Sequence, residues 1–240
     1  MQKSGKNTVE TVAPEAPITK KRPVAKDLDS YMEGPAVPHA TTAPSKEHPH
    51  GTETKSHSRK SILQQHVAFF DHDNDGIITP WDTFKGFRIL GFNLFLSLLA
   101  TIIINVNFAY VTQPYWIPNP FFWIYVENIH KAKHGSDSEI YDTEGRFVPQ
   151  KFEDAFAKYA KHSPDFMTVG ELLEMIKGNR NVGDPFGWFA AYFEWLTVYL
   201  LVGYEWKINK EDIRGVLDGS LFYTIRERRL KESGGYKKAY

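Results

Sequence analysis

The chain has 240 residues and no cysteine, and its 29 Lys and Arg balance 29 Asp and Glu. This length corresponds to one or two domains, and the neutral charge argues against a nucleic-acid-binding protein that relies on phosphate attraction. The absence of cysteine excludes a disulfide framework, a thiolate zinc site, a cysteine nucleophile and a thiolate-bound haem, so any transition metal must be held by histidine, carboxylate or tyrosine.

Residues 1–60 contain half of the 14 prolines and a single aromatic residue, Tyr31. A segment of this composition has too little apolar surface to offset the entropy lost on folding. It is predicted to be a disordered arm rich in proline and histidine. The residues after Met1 form no apolar run, which argues against a secretory leader.

Residues 61–88 consist of two stretches of helical periodicity with an acidic loop between them. The twelve residues from Asp71 to Asp82 match the EF-hand template, with Gly76 at the sharp turn, and predict a calcium site. An acidic turn without metal is the alternative. The ligands predicted by position are Asp71, Asp73, Asp75, the backbone carbonyl of Ile77, Thr79 and Asp82.

The loop closes on an aspartate, Asp82, where glutamate is usual. The shorter side chain predicts weaker calcium binding and stronger competition from magnesium. Because EF-hands pair, metal-free partners are expected in three degenerate segments of similar outline. These lie at residues 144–149, 167–171 and 208–212.

No charged residue occurs in the window 89–126, and its first part is dense in Leu, Ile and Phe. About 20 apolar residues suffice to span a membrane, so the window predicts a long apolar helix that anchors the chain in lipid. A buried core helix is the alternative. Pro114, Pro118 and Pro120 then break the helix among tryptophans and tyrosines, which is the composition of a membrane interface.

Residues 127–222 are predicted to form a helical C-terminal domain that contains the degenerate EF-like segments. Its aromatic stretch, 186–206, is interpreted as a buried core helix, with a helix lying at a lipid interface as the alternative. Residues 223–240 form a basic tail that is expected to fray. The whole chain is therefore predicted to be mainly α-helical.

Three histidines outside the arm are candidate ligands. His66 lies on the apolar face of a predicted helix, where a histidine is usually part of the core. His130 and His134 are four residues apart and could share a helix face and bind zinc, or could be an ordinary surface pair. The spacing alone does not decide between these interpretations.

Taken together, these blocks resemble the caleosin family of plant and fungal lipid-droplet proteins, from about residue 61 to 222. The stretches that carry the resemblance are Leu63–Asp71, Asp73–Pro80, Leu90–Asn93, Pro114–Phe122, Asn128–Ser138, Tyr141–Phe147, Gly178–Arg180, Phe186–Trp188 and Asp218–Phe222. The resemblance implies one calcium EF-hand, a lipid anchor with a proline knot, and haem-dependent peroxygenase activity. The two histidines that hold the family's haem fall on His66 and His134.

A peroxygenase takes oxygen from a fatty-acid hydroperoxide and gives it to an unsaturated fatty acid or other acceptor. It needs no NAD(P)H, and the chain contains no dinucleotide-binding fingerprint. The resemblance implies a location on lipid droplets and the endoplasmic reticulum membrane, with the soluble parts in the cytosol and no nucleic-acid partner. It is also compatible with a calcium-dependent homo-oligomer.

If His66 and His134 approach one haem, the two ends of the apolar window lie on the same side of the membrane. This arrangement excludes a single crossing and predicts a monotopic insertion that enters and leaves by one face. Two other functions remain open at this stage. One is a non-enzymatic, calcium-responsive coat of lipid droplets, and the other is a calcium-sensing membrane adaptor.

Overall fold

The computed structural model describes residues 8–9, 15, 24–52 and 59–232, and this part of the chain is mainly helical, as predicted. In chain order the helices are α1 Ile62–Ala68, α2 Pro80–Leu90, α3 Leu94–Thr112, α4 Pro149–Tyr159, α5 Val169–Gly178, α6 Pro185–Val202, α7 Lys210–Leu217 and α8 Ser220–Glu232. The strands are β1 Thr8–Val9, β2 Val24–Ala25, β3 Ile77–Ile78, β4 Ile124–Tyr125, β5 Phe166–Thr168 and β6 Lys207–Asn209. Short 3-10 helices cover Leu28–Ser30 and Val126–Ala132.

The chain divides into two compact units, each of which is built from two separate stretches. One unit contains Met1–Ile62 and Lys133–Arg214, and the other contains Leu63–Ala132 and Gly215–Tyr240. The second unit holds the acidic loop and the apolar window, and the first holds most of the C-terminal domain predicted from the sequence.

The predicted disordered arm is wrong for residues 24–52, which pack into the first unit. Leu28 and Ala43 are fully buried. The backbone of His39 exchanges hydrogen bonds with that of Phe147 at 2.7 and 2.9 Å. The segment has few apolar residues of its own, and partners more than a hundred residues away supply the burial that it lacks. Most of the remaining arm lies outside the described residues.

In the first unit, two of the degenerate segments pair with each other. Strands β5 and β6 are antiparallel, with Met167 opposite Ile208, and both of these side chains are buried. Each strand leads directly into a helix, α5 or α7. The third segment, around residue 145, forms a turn in which Asp142 accepts hydrogen bonds from the backbone of Glu144 and Arg146.

In the second unit, the acidic loop lies between α1 and α2. Its strand β3 pairs with β4, so that Ile78 lies opposite Ile124. The partner strand therefore comes from the end of the apolar window and from none of the three degenerate segments. Since β3 precedes the apolar helix and β4 follows it, the chain returns to its starting point after α3.

Local chemistry explains where α2 and α3 begin and end. Pro80 starts α2, and Gly91, at φ 102°, ends it in a left-handed conformation that suits glycine. Asn93 caps α3 by accepting a hydrogen bond from the backbone of Leu96 at 2.9 Å. After α3, residues 114–120 fold around Gln113, whose side chain bonds the backbone of Tyr115, Ile117 and Asn119.

The apolar helix α3 reverses the usual arrangement of a helix on a soluble protein. Polar or small side chains form its buried face, and these are Ser97, Asn105, Ala109 and Thr112. Large apolar side chains form its outer face, where Phe95 is 70% exposed and Ile102 is 61% exposed. By length and composition α3 is the one helix among the described residues that could cross a membrane. The alternative of a buried core helix does not hold.

Two further predictions on the C-terminal half are wrong. Helix α6 was expected in the core, yet its fully buried residues are only Gly187 and Ala191, and most of its large side chains face outward. The tail was expected to fray after Tyr223, but α8 continues to Glu232. Residues 233–240 lie outside the described part of the chain.

Candidate functional site

The acidic loop gathers three carboxylates. Oxygen atoms of Asp71, Asp73 and Asp75 all lie within 4.8 Å of one another, and Asp71 is buried. Gly76, at φ 84°, makes the turn that the loop requires. Like charges held this close repel one another, and a divalent cation with oxygen ligands relieves that repulsion. These side chains therefore suit a hard cation such as calcium.

The other predicted ligands sit at the start of α2. Thr79 caps the helix by accepting a hydrogen bond from the backbone of Asp82. In turn, Oδ2 of Asp82 accepts hydrogen bonds from the backbone N–H of Thr79 at 3.1 Å and from its hydroxyl at 2.5 Å. Asp82 does not join the group of three carboxylates. Ile77 lies in strand β3. The structure thus groups three of the predicted ligands and gives Asp82 a capping role.

His66 lies in α1, and its ring has a defined hydrogen-bond partner. Its Nδ1 is 2.7 Å from the backbone oxygen of Val216, near the end of α7. A carbonyl can only accept, so Nδ1 carries a proton, and in the neutral ring Nε2 carries the lone pair. Histidines that bind metals are commonly oriented in this way by a carbonyl behind the ring.

Aromatic and backbone contacts fix the position of the His66 ring. Phe222, in α8, packs edge-on against it with ring centres 5.1 Å apart. Gly219, at φ 77°, lies so close that a Cβ there would be 2.7 Å from the oxygen of Gln65 and 3.0 Å from the Cα of His66. Three elements, α1, α7 and α8, therefore hold this histidine.

His134 lies in the other unit, just after the 3-10 helix, and its environment is acidic. Its Nε2 is 3.4 Å from the carboxylate of Glu194 in α6, and its Nδ1 accepts a hydrogen bond from the backbone of Ser136 at 3.2 Å. The carboxylate of Asp184 is 4.0 Å from Nδ1 and accepts a hydrogen bond from the Ser136 hydroxyl at 2.7 Å.

Burial alone would lower the pKa of His134, but the hydrogen bond and charge of Glu194, with help from Asp137 and Asp184, outweigh it and raise the pKa. The imidazole nitrogen that would face a metal is thus in contact with a carboxylate. For His134 to bind iron through Nε2, the contact with Glu194 must be broken.

Two other histidines, His130 and His72, lie outside the pair of proposed haem ligands. The 3-10 helix ends at Ala132, so His130 and His134 do not share a helix face, and the zinc alternative loses its basis. His72, at the second position of the acidic loop, has a buried Nε2 with no hydrogen-bond partner among the described residues. Burial, followed by the charge of Lys85, lowers the pKa of His72.

Sequence analysis missed the groups that orient the two candidate histidines. Val216 acts through its backbone, which leaves no mark in the sequence. Glu194 did leave one, since it is the only charged residue between Asp184 and Glu205. The Glu194 side chain is 51% exposed and lies 3.4 Å from Nε2 of His134, so its isolation in an aromatic helix was the signal for this pair.

The donor sets agree with calcium and, in part, with haem. Three clustered carboxylates suit a hard cation. His66 has the tautomer of an axial ligand, with Nδ1 held by a carbonyl. His134 has the right chemistry, but in the described conformation a carboxylate contacts the nitrogen that would bind.

The chain is similar to several known proteins. The family profile described as "Caleosin related protein" matches residues 58–226. A "Peroxygenase" of Lilium longiflorum is 45% identical over 224 residues, which cover 93% of this chain and 94% of that protein. "Probable peroxygenase 4" of Arabidopsis thaliana is 43% identical, covering 72% of this chain and 89% of that protein.

A third relative in Arabidopsis thaliana, "Probable inactive peroxygenase-like protein", is 33% identical and covers 74% of this chain and 82% of that protein. No solved structure matches the chain significantly. The names of these three relatives all refer to peroxygenase activity, although one of the three is named as inactive.

Proposed function

Because this chain belongs to the caleosin family, we propose that it is a peroxygenase that uses haem, binds calcium and works at the surface of lipid droplets or the endoplasmic reticulum. Its substrates would be fatty-acid hydroperoxides, as oxygen donors, and unsaturated fatty acids, as acceptors. The observation that carries the proposal is the His66 ring, whose Nδ1–H is held by the Val216 carbonyl at 2.7 Å.

Haem, when bound, supplies the redox chemistry that moves one oxygen atom from the hydroperoxide to the acceptor. The chain's own residues supply position and proton control. His66 would present Nε2 to the iron, and the Val216 carbonyl would keep the ring in that tautomer. Phe222 packs against the His66 ring, and Phe69 packs against Phe222.

His134 would be the second histidine on the haem, as the resemblance implies. Its carboxylate neighbours give it a further capacity, because an imidazole between Glu194 and Asp184 can hold a proton or release it. A hydroperoxide whose oxygen–oxygen bond breaks needs a proton for the departing alcohol. If haem were bound, His134 could hold it through Nε2 only after leaving Glu194, so the Glu194 carboxylate competes with the haem for this histidine.

Calcium would bind Asp71, Asp73 and Asp75, with Ile77, Thr79 and Asp82 completing the set predicted by position. The loop starts three residues after the end of α1, which carries His66. A cation that orders the loop would therefore also stabilise α1. This gives calcium a structural role next to the proposed haem ligand.

Association with a lipid surface is supported by α3. The buried side chains of α3 are small or polar, whereas large apolar side chains such as Phe95 and Ile102 are exposed. Asn105, near the midpoint of the helix, donates to the backbone oxygen of Phe122 at 2.9 Å and so ties the helix to the segment that follows it. Helix α3 therefore fits a one-sided insertion in which the outer face lies in lipid. A droplet, which has a single phospholipid layer, suits such an anchor.

A purely structural coat would need the outward face of α3 but no oriented histidine, so the ring geometry of His66 disfavours it. The test is haem loading and oxygen transfer from cumene hydroperoxide, measured together. His66→Ala is expected to lose both the haem absorption band and turnover, and His134→Ala to lose turnover. The matched control, His130→Ala, should keep both. Full haem loading and activity in His66→Ala would overturn the proposal.

A further inference from the structure

Helix α6 carries a second apolar surface, separate from that of α3. Five of its side chains recur at alternating spacings of three and four residues and so lie on one stripe of the helix. All five are exposed. We call this stripe the α6 face, and it consists of Phe186, Phe189, Phe193, Leu196 and Leu200.

The opposite side of α6 is the side that packs against the first unit. Its buried residues are Gly187 and Ala191, which are two of the three smallest residues of the helix. A helix on the surface of a soluble protein buries its large apolar side chains and exposes its polar ones. Helix α6 instead exposes the five large apolar side chains of the α6 face, so these five do not serve the core of its own unit.

We propose that the α6 face lies on a phospholipid surface, as a second lipid contact in addition to α3. The stripe itself contains no charge, and the single charged residue of the helix, Glu194, turns away from it to His134. The helix is 18 residues long, about 27 Å, and can lie along an interface over its whole length.

Cations and aromatic rings at both ends of α6 identify lipid as the occupant. Before the helix, the exposed Arg180 packs over the rings of Trp188 and Tyr192 and donates to the Tyr192 hydroxyl at 3.0 Å. After it, the exposed Trp206 stacks on Tyr199, and the ammonium of Lys207 lies 3.7 Å from the carboxylate of Glu205. Arginine, lysine, tryptophan and tyrosine around an apolar stripe match phosphate head groups above acyl chains.

The inference deepens the proposed function and rests on its lipid location. With the α6 face on lipid, Glu194 and His134 lie behind the same helix, about one helix diameter from the surface. Substrate would then be taken from within the lipid layer. Acyl hydroperoxides and unsaturated acyl chains, which partition into that layer, are the class of substrate that this geometry favours.

The chain has no cysteine, so a single introduced cysteine can carry an environment-sensitive nitrobenzoxadiazole label. Three leucines of similar exposure make a matched set. Leu196→Cys tests the α6 face at 50% exposure, Leu98→Cys tests α3 at 48%, and Leu173→Cys is the control on α5 at 44%. The full-length haem- and calcium-loaded variants are mixed with vesicles of phosphatidylcholine and phosphatidylserine, with circular dichroism to check folding.

The proposal expects a blue shift of label emission on vesicle addition at positions 196 and 98, with quenching by spin-labelled acyl chains, and no change at 173. A response at 98 without one at 196 would overturn the inference and leave the proposed anchor intact. No emission shift at either position 196 or position 98 would overturn the inference together with the proposed lipid location. A blue shift at 196 that grows with protein concentration in the absence of vesicles, and resists lipid quenchers, would assign the face to a second copy of the chain instead.

Discussion

At His66 the orientation of the ring depends on one backbone atom, the oxygen of Val216, and on the close approach of the residues that lead into α8. Gly219 permits that approach, because its backbone has φ 77° and its missing side chain leaves room for the backbone of Gln65 and His66. The ring that we propose as a haem ligand is therefore oriented by two residues that touch no substrate.

Replacing Gly219 by alanine tests this packing. The new Cβ would be 2.7 Å from the Gln65 oxygen, so α8 must move away from α1. Gly183→Ala is the matched control, since Gly183 has a similar φ of 81° and open space around it. Backbone strain alone costs about 1–2 kcal/mol, and the clash adds roughly 1–3 kcal/mol at position 219 only. Urea unfolding and haemin titration should both show the larger loss for Gly219→Ala, and equal losses would contradict the account.

Glu171 shows how strongly hydrogen bonds can hold a single carboxylate ionised. Burial would raise its pKa, but hydrogen bonds from Thr168, His162 and Lys161 outweigh that effect and lower the pKa from 4.5 to about 2. A carboxyl whose pKa is depressed on folding contributes stability above its unfolded pKa and loses that stability as pH falls through the folded value.

The consequence is a stability difference that depends on pH. Glu171→Gln keeps the shape of the capping side chain but removes the charge that accepts hydrogen bonds from Thr168, His162 and Lys161, and it is expected to cost about 1–2 kcal/mol at pH 7. The gap between variant and wild type should narrow as pH falls from about 4.5 towards 2, because the wild-type carboxylate becomes protonated. Chemical unfolding at several pH values measures this, and a gap that is constant over that range would be inconsistent with the hydrogen-bonding described.

At the scale of elements, two helices begin with the same device. Thr79 and Asp82 cap α2, and Thr168 and Glu171 cap α5, each through reciprocal hydrogen bonds. Glutamate therefore fits this capping geometry in the same chain. Changing Asp82 to glutamate should preserve the start of α2 while lengthening the side chain that faces the acidic loop.

Calcium affinity should respond in opposite directions to two substitutions in the loop. Asp73→Ala removes one of three clustered carboxylates and is expected to weaken binding at least tenfold, about 1.4 kcal/mol. Asp82→Glu is expected to strengthen it, because the longer side chain can offer both oxygens. Asp165→Ala, which removes an exposed carboxylate far along the chain, is the control. Titration calorimetry that finds unchanged affinity in both loop variants would remove the site assignment.

Replacing isoleucine by glutamine should have different effects on the two faces of α3: loss of stability on the inner face and loss of vesicle binding on the outer face. Ile102 is exposed, whereas Ile104 packs against a cluster that contains Ile78 and Ile124. Ile104→Gln is expected to lower the free energy of unfolding by about 2–3 kcal/mol. Ile102→Gln should leave stability unchanged and weaken vesicle binding. Unfolding curves and flotation with lipid vesicles distinguish them, and a large stability loss in Ile102→Gln would show that the outer face of α3 is buried.

At the scale of the whole molecule, the features predicted well from the sequence are those with a local cause. The spacing of Asp71, Asp73 and Asp75 and the turn at Gly76 define the loop within six residues. The uncharged window likewise predicted α3, although only the packing could show that Ser97, Asn105 and Thr112 lie on its buried face.

What the sequence did not reveal depends on contacts between distant residues. His134 meets Glu194 across 60 positions, and His66 meets Val216 across 150. The arm from residue 24 is ordered by the same kind of contact, since Ala25 donates to Asp154 across 129 positions. Periodicity and spacing report on neighbours along the chain, so none of these pairs could be read from local pattern.

The central claim is that this chain moves an oxygen atom from a hydroperoxide to an unsaturated lipid. The most direct measurement supplies ¹⁸O-labelled cumene hydroperoxide and a monounsaturated fatty acid to the haem-loaded, full-length protein, and analyses the products by mass spectrometry. We predict an epoxide that carries ¹⁸O, formed with an equal amount of the alcohol of the donor and without NAD(P)H. An epoxide whose oxygen comes from dissolved O₂ or water, or no epoxide from fully haem-loaded protein, would contradict the account.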